Sequence, residues 1–214
     1  MFGTHPDLVI LSAPMRKLLS RLAYALNDLL PGAKRLVPKS AARFLLLNVV
    51  GVQKSYPDVS RKVLEQEILP DIAKRYARVL FVGTGSYTYW YERLFRRGQF
   101  TTIESNPAHA VWGSDDNIVA PVQELGRHRP TGSFDCVVLN GIFGFGVKEP
   151  DEMRLVAAVL HDALQPNGYL VLGWNDDMQE DPDKLGTFDG LFRHCAPRRT
   201  FAGETHVYDF YLRQ

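Results

Sequence analysis

Three short stretches of this 214-residue chain combine residue types that could do chemistry. Gly83-Thr84-Gly85 follows the apolar run Val79-Leu80-Phe81-Val82. Glycines there let a backbone approach a ligand closely, and a helix starting after them would offer free N–H groups. Glu104 closes a second run, Phe100-Thr101-Thr102-Ile103, about twenty residues beyond the glycines. A carboxylate at that distance is placed to accept from both hydroxyls of a ribose. Asn140-Gly141 ends a third run, Phe134-Asp135-Cys136-Val137-Val138-Leu139, and leads into the aromatic loop Ile142-Phe143-Gly144-Phe145-Gly146. Candidates for moving a proton are His5, His206, Asp176 and Tyr87, and no spacing singles one out. His206, at the start of a hairpin, reads as structural. His109, His128, His161 and His194 read as structural or solvated.

These residues need strands and helices to bring them together. The run 79–82 reads as a buried parallel strand, followed by a helix over 89–95 that ends at Gly98. The second strand is 100–103, and Ser105-Asn106-Pro107 opens a short helix. The third strand is 117–120 and the fourth 134–139. A helix from Pro150 to Leu164 leads through the turn Gln165-Pro166-Asn167-Gly168 to a fifth strand, 169–174. Residues 175–190 are polar and acidic and read as a mobile, lid-like loop. Strands at 199–202 and 205–212 form a terminal hairpin. The predicted fold is α/β, a Rossmann-like mostly parallel sheet with an antiparallel edge pair. Ahead of it come helices at 14–30 and 40–50, the latter apolar nearly all round, and a third at 59–69, with a break or final turn at Pro70-Asp71. The expected division is a docked helical segment, 1–70, and a main domain, 71–214.

Composition narrows the class. No run of about 18 apolar residues occurs, so no spanning helix is predicted. The N-terminus lacks the positive start of a signal peptide. Cys136 and Cys195 have no metal-like spacing, and Cys136 lies in an apolar strand, which fits a cytoplasmic protein with a buried thiol. Residues 1–62 hold ten Lys/Arg against three Asp/Glu, leaving fifteen against twenty-one in the rest. That basic segment either complements its own domain or meets an acidic partner, with a peripheral membrane surface and a second copy of the chain as alternatives. Few aromatics interleave its basic residues, so no nucleic acid is expected. The P-loop pattern Gly-x-x-x-x-Gly-Lys-Ser/Thr is absent.

Four stretches together resemble the class I S-adenosylmethionine-dependent methyltransferases. They are Val79-Leu80-Phe81-Val82-Gly83-Thr84-Gly85, Thr102-Ile103-Glu104, Ser133-Phe134-Asp135-Cys136-Val137-Val138-Leu139-Asn140 and Leu164-Gln165-Pro166-Asn167-Gly168-Tyr169-Leu170-Val171-Leu172. The resemblance covers about residues 71–214. It implies a seven-stranded sheet, S-adenosyl-L-methionine as cofactor, and methyl transfer to oxygen or nitrogen of a small-molecule acceptor. By position, Gly83, Thr84 and Gly85 would face the methionine part and Glu104 the ribose. Ser105 and Asn106 would flank the adenosine, Val122 and Gln123 would lie by the adenine, and Asn140 and Gly141 would sit beneath the sulfonium. A metal-dependent variant would want a carboxylate at 140, where Asn140 stands, so no metal is expected. Three positions depart from the family. Phe81 replaces an acidic residue, Tyr87 replaces the third glycine, and Ala120-Pro121 replaces the acidic residue that often contacts adenine. Those departures support the alternative of a non-catalytic binding or scaffold protein on this fold. The missing third glycine and the hairpin weigh against a nicotinamide-dependent oxidoreductase.

Overall fold

A computed structural model of the chain describes residues 56–214. The helices expected at 14–30 and 40–50, and His5, lie outside the described residues. Val79–Val82 (β1), Phe100–Ile103 (β2) and Phe134–Asn140 (β4) are buried at every position, as strands covered on both faces must be. Asp116–Ile118 (β3), Leu164–Asn175 (β5), Phe192–Thr200 (β6) and His206–Arg213 (β7) complete the set. They form one seven-stranded sheet in the order β3-β2-β1-β4-β5-β7-β6. The pairs from β3 to β5 are parallel, and β7 runs antiparallel to both β5 and β6. The predicted architecture, with its terminal antiparallel hairpin, is therefore the observed one.

Among the described residues, helical segments cover both faces of the sheet. Pro150–Ala163 (α3) starts with proline in its first turn and Asp151 and Glu152 at its positive end. It buries Met153, Val156, Ala157, Leu160 and Ala163, the spacing of a single helical face. This face and the 3₁₀ segment Val122–Arg127 pack with Leu80, Val82, Val137, Leu139, Leu170 and Leu172. Strand alternation turns Val79 and Phe81 to the opposite face. There lies α1, continuous from Val59 to Arg75, in which Val59–Val63 and Leu69–Arg75 are α-helical and Leu64–Ile68 is a π-helical turn. Of the two expectations at Pro70-Asp71, a break or a final turn, the structure shows the second, with the helix continuing over Leu69–Arg75. Proline in an α-helix clashes with the carbonyl four residues back, and the wider turn just before it, closed by Leu69 N–H to Leu64 O, lets the helix run on. Among the described residues no helix is long and apolar enough to cross a membrane.

Four expectations change. The helix predicted over 89–95 is a string of turns ending in the 3₁₀ segment Tyr91–Leu94. Tyr89, Trp90 and Tyr91 are all buried, and three successive large rings do not share one face of an α-helix. The chain instead makes i→i+3 bonds from Thr88 N–H to Gly85 O and from Tyr91 N–H to Thr88 O, both 2.9 Å. β3 covers Asp116–Ile118 rather than 117–120. Gln165-Pro166-Asn167-Gly168 is an irregularity inside β5, between the pairs Phe134–Leu164 and Cys136–Tyr169, with Asn167 at φ 60°. β6 starts at Phe192 and not near 199. Its mostly exposed pattern, with only Phe192 buried, hid it from a hydrophobicity reading.

Candidate active site

The order of strands reverses between β1 and β4, so the crevice beyond their C-terminal ends is where this kind of sheet holds ligands. Gly83 leaves β1 at φ +85°, and a Cβ there would lie 2.7 Å from Ile142 Cδ1. Only glycine accepts both conditions without movement of its neighbour. Thr84 N–H then donates to Glu104 Oε2 at 2.8 Å, and the Thr84 hydroxyl donates to His109 O at 2.9 Å. Glu104 Oε1 accepts from Asn106 N–H at 2.7 Å. Glu104 thus ties the glycine turn to the loop after β2. Ser105 is exposed, and Asn106 caps Pro107–Ala110 (α2) by accepting from Ala108 N–H at 2.9 Å.

Gly85 is covered by the chain itself. A Cβ at this position would lie only 2.9 Å from Tyr87 Cε1, so the Tyr87 ring lies over the Gly85 backbone. Tyr56 packs edge-on against the same ring at 5.2 Å, and the Arg61 guanidinium sits 4.5 Å from its centre. Val122 is in the core, and Gln123 lines a cleft of about 270 Å³ between its 3₁₀ segment and α3.

On the β4 side, Gly141 turns at φ +67° and donates to Gly173 O at 2.9 Å. Asn140 Oδ1 lies 3.1 Å from His206 Nε2, and Asn175 Oδ1 lies 3.0 Å from His206 Nδ1. A neutral imidazole has one N–H, so it donates to one amide and the other amide must present its NH₂ group. Asn175 Nδ2 already donates to Thr205 Oγ1 at 3.0 Å. The consistent arrangement has Nδ1–H donating to Asn175 and Nε2 accepting from a turned Asn140 amide. Burial pushes the His206 pKa down to about 4, and the Arg61 charge lowers it further, against the opposing pull of Glu204 and Asp58. Sequence reasoning ranked His206 with three other groups. The pairing that distinguishes it joins strands 66 and 31 residues away in the chain, and no local spacing records that. Asp176 is exposed. Phe143, Trp174, Tyr89 and Trp90 belong to the interior, while Phe145 is exposed and Tyr87 partly so.

The acidic loop expected to be mobile is tied down. Arg198 of β6 pairs with Asp181 at 2.6 Å, Asp183 at 3.0 Å and the fully buried Asp209 at 2.7 Å. Trp174 Nε1–H donates to Asp209 at 2.9 Å and the Tyr211 hydroxyl to Asp183 at 2.9 Å. Asp183, His194 and Asp209 bring ligand-type atoms within 4.8 Å of one another. The Arg198 guanidinium is bonded to both carboxylates, so the cluster is an ion-pair network.

Solved structures share this architecture. The PH0226 protein from Pyrococcus horikoshii matches with TM-score 0.59 at 14% identity, over 72% of this chain and 90% of its own. The N-methyltransferase NodS from Bradyrhizobium japonicum matches with TM-score 0.55 at 15% identity, over 72% and 96%. A TehB-like SAM-dependent methyltransferase from Corynebacterium glutamicum gives 0.53 at 17% identity, over 69% and 86%. This is the class I methyltransferase fold. NodS is also matched in its complex with S-adenosyl-L-homocysteine, at TM-score 0.51 and 13% identity over 73% and 93%. No protein-family model matches the chain, and no curated protein does.

Proposed function

We propose that this chain is an S-adenosylmethionine-dependent methyltransferase that methylates oxygen or nitrogen of a small-molecule acceptor. The observation that carries the reading is the bond from Thr84 N–H to Glu104, which sets the glycine turn and a carboxylate side by side at the crevice. The residues fit the cofactor. An ionised carboxylate has about four acceptor sites; two backbone N–H groups use two of those on Glu104, and the exposed Ser105 hydroxyl makes a long third bond at 3.4 Å that a ribose hydroxyl can displace. A Cβ at Gly141 would meet nothing within 4 Å, so the floor beside Asn140 is open.

In this reading Gly83, Thr84 and Gly85 face the methionine part, and Glu104 holds the ribose. Ser105 and Asn106 flank the adenosine, Val122 and Gln123 lie by the adenine, and Asn140 and Gly141 sit beneath the sulfonium. When bound, the cofactor supplies a methyl group activated for in-line displacement. The chain's part is to align the acceptor and exclude water. His206, hydrogen-bonded on both nitrogens, orients groups at the ends of β4, β5 and β7, and no catalytic base is assigned. A cytoplasmic location and a membrane surface or second copy at the basic N-terminal segment belong to the same reading, supported by composition alone.

Titration calorimetry with S-adenosylmethionine and S-adenosylhomocysteine tests it. Glu104→Ala should weaken binding about ten- to hundred-fold, the loss of a charge-assisted contact. A second reading, a non-catalytic scaffold, is favoured by the Tyr87 ring over Gly85 and by Phe81 at the acidic position. Absence of binding to the wild type at millimolar cofactor would select it.

A further inference from the structure

Arg61 is a half-buried cation whose partners are all uncharged. Its Nη1 donates to the Tyr91 hydroxyl at 3.0 Å, and its plane lies over Tyr87 at 4.5 Å. Among the described residues it has no carboxylate partner. Glu65, one turn further along α1, accepts the Tyr91 hydroxyl proton at 2.8 Å, so Tyr91 stands between the two charges. Glu204 is used on the N–H groups of Val59 and Ser60. A guanidinium has five N–H donors, and one is spent. Removing a cation from water without an anion is unfavourable, and a fork of unused donors fits a carboxylate or phosphate in two-point contact.

Its position says which ligand. Glu104 is on the β2 side of the glycine turn. Arg61 is on the other side, touching Tyr87 and Tyr91 and close enough to His206 of β7 for its charge to be felt there. Ser60, its neighbour on α1, accepts at its carbonyl from the Tyr208 hydroxyl at 3.3 Å. The acceptor of a methyl group would occupy that side, beyond β4 and β5. We propose that Arg61 anchors an oxyanion of the methyl acceptor, a carboxylate or phosphate, and so sets the acceptor beside Asn140 and His206. This rests on the methyltransferase reading above.

The test is titration of the wild type, Arg61→Gln and Arg61→Lys with acetate, benzoate and inorganic phosphate at constant ionic strength. Each is read by amide chemical shifts, with and without saturating S-adenosylhomocysteine. At least one oxyanion should bind the wild type about ten- to hundred-fold more tightly than Arg61→Gln, with Arg61→Lys between. S-adenosylhomocysteine affinity should not change. The proposal is overturned if no oxyanion separates the wild type from Arg61→Gln. It is also overturned if Arg61→Gln weakens S-adenosylhomocysteine but not 5′-methylthioadenosine, which lacks the amino-acid end, because Arg61 then serves the cofactor. Failure of the wild type to bind S-adenosylhomocysteine would count against the methyltransferase reading instead, and the unloaded titration would still report on Arg61. Arg61→Lys keeps the charge and guards against a loss that only reflects misfolding.

Discussion

Neither nitrogen of the His206 ring is free, since Asn140 and Asn175 occupy one each. The groups facing the ring carry charges of both signs, Arg61 and Asp58 from the start of α1 and Glu204 from the β6–β7 turn. Burial is the largest influence and keeps the ring neutral, with its pKa down at about 4 against 6.5 for an ordinary histidine. Between those two values the unfolded chain binds a proton that the folded chain does not, so stability falls as pH is lowered through that window. The expected outcome is a His206 Cε1–H resonance that shows no titration above pH 5. With it, unfolding free energy should decline by roughly 3 kcal/mol at most between pH 7 and pH 4. His206→Gln should remove most of that decline. A resonance that titrates near pH 6.5 would show that the ring is solvated and that the amide pairing is wrong.

At the scale of elements, Arg198 decides whether the 176–190 segment is loop or lid. It joins that segment through Asp181 and Asp183 to β6, its own strand, and to β7 through Asp209. Asp209 has no exposed surface. Replacing Arg198 with methionine would leave that carboxylate with the Trp174 N–H as its remaining partner. Breaking a buried pair by removing one member costs about 3–5 kcal/mol, and two thirds of the Arg198 side chain is covered. Arg198→Met should therefore destabilise the protein to urea by an amount near the lower end of that range. Amides of 181–187 should exchange faster than those of β1 and β4. The double variant Arg198→Met, Asp209→Asn should recover part of the loss, because the charge that needed a partner is gone. No recovery would mean that the pairing with Asp181 and Asp183, not the buried charge, carries the effect.

Over the whole molecule the two cysteines report on the sheet. Cys136 sits in the middle of β4, without exposed surface, and burial raises its thiol pKa well above the ordinary value. Cys195 is exposed on the edge strand β6. Both are free. Partial burial raises the Cys195 thiol too, so access and not acidity separates the two, and native protein treated with iodoacetamide at neutral pH should gain one label, at Cys195, as read by peptide mass. The second label should appear only with global unfolding, because β4 is paired on both sides and covered on both faces. Labelling of Cys136 under native conditions at the rate of Cys195 would show that the central strand opens locally.

The sequence by itself determined the central parallel strands of the sheet and half of the candidate site. Short, largely apolar runs bounded by glycine and turn residues read as strands buried on both faces, which is why 79–82, 100–103 and 134–139 were legible, and with them Gly83, Glu104 and Asn140 at their ends. A positive φ at Gly83 and a carboxylate about twenty residues later are local facts, and local facts survive in one dimension. What failed was read from patterns that tertiary packing overrules. Tyr89 to Tyr91 look amphipathic until all three rings are buried, and the helix gives way to tighter turns. Pro70 leaves a stop and a final turn both open, and the π-helical turn before it decides for continuation. β6 carries almost no buried residues, so only its pairing with β7 reveals it. The other half of the site was beyond the sequence for one physical reason. His206 meets Asn140 and Asn175, and Arg61 meets Tyr87 and Tyr91, across separations of 66, 31, 26 and 30 residues. Contacts over such distances are created by the strand order and by where α1 lies on the sheet, which no spacing in the chain encodes.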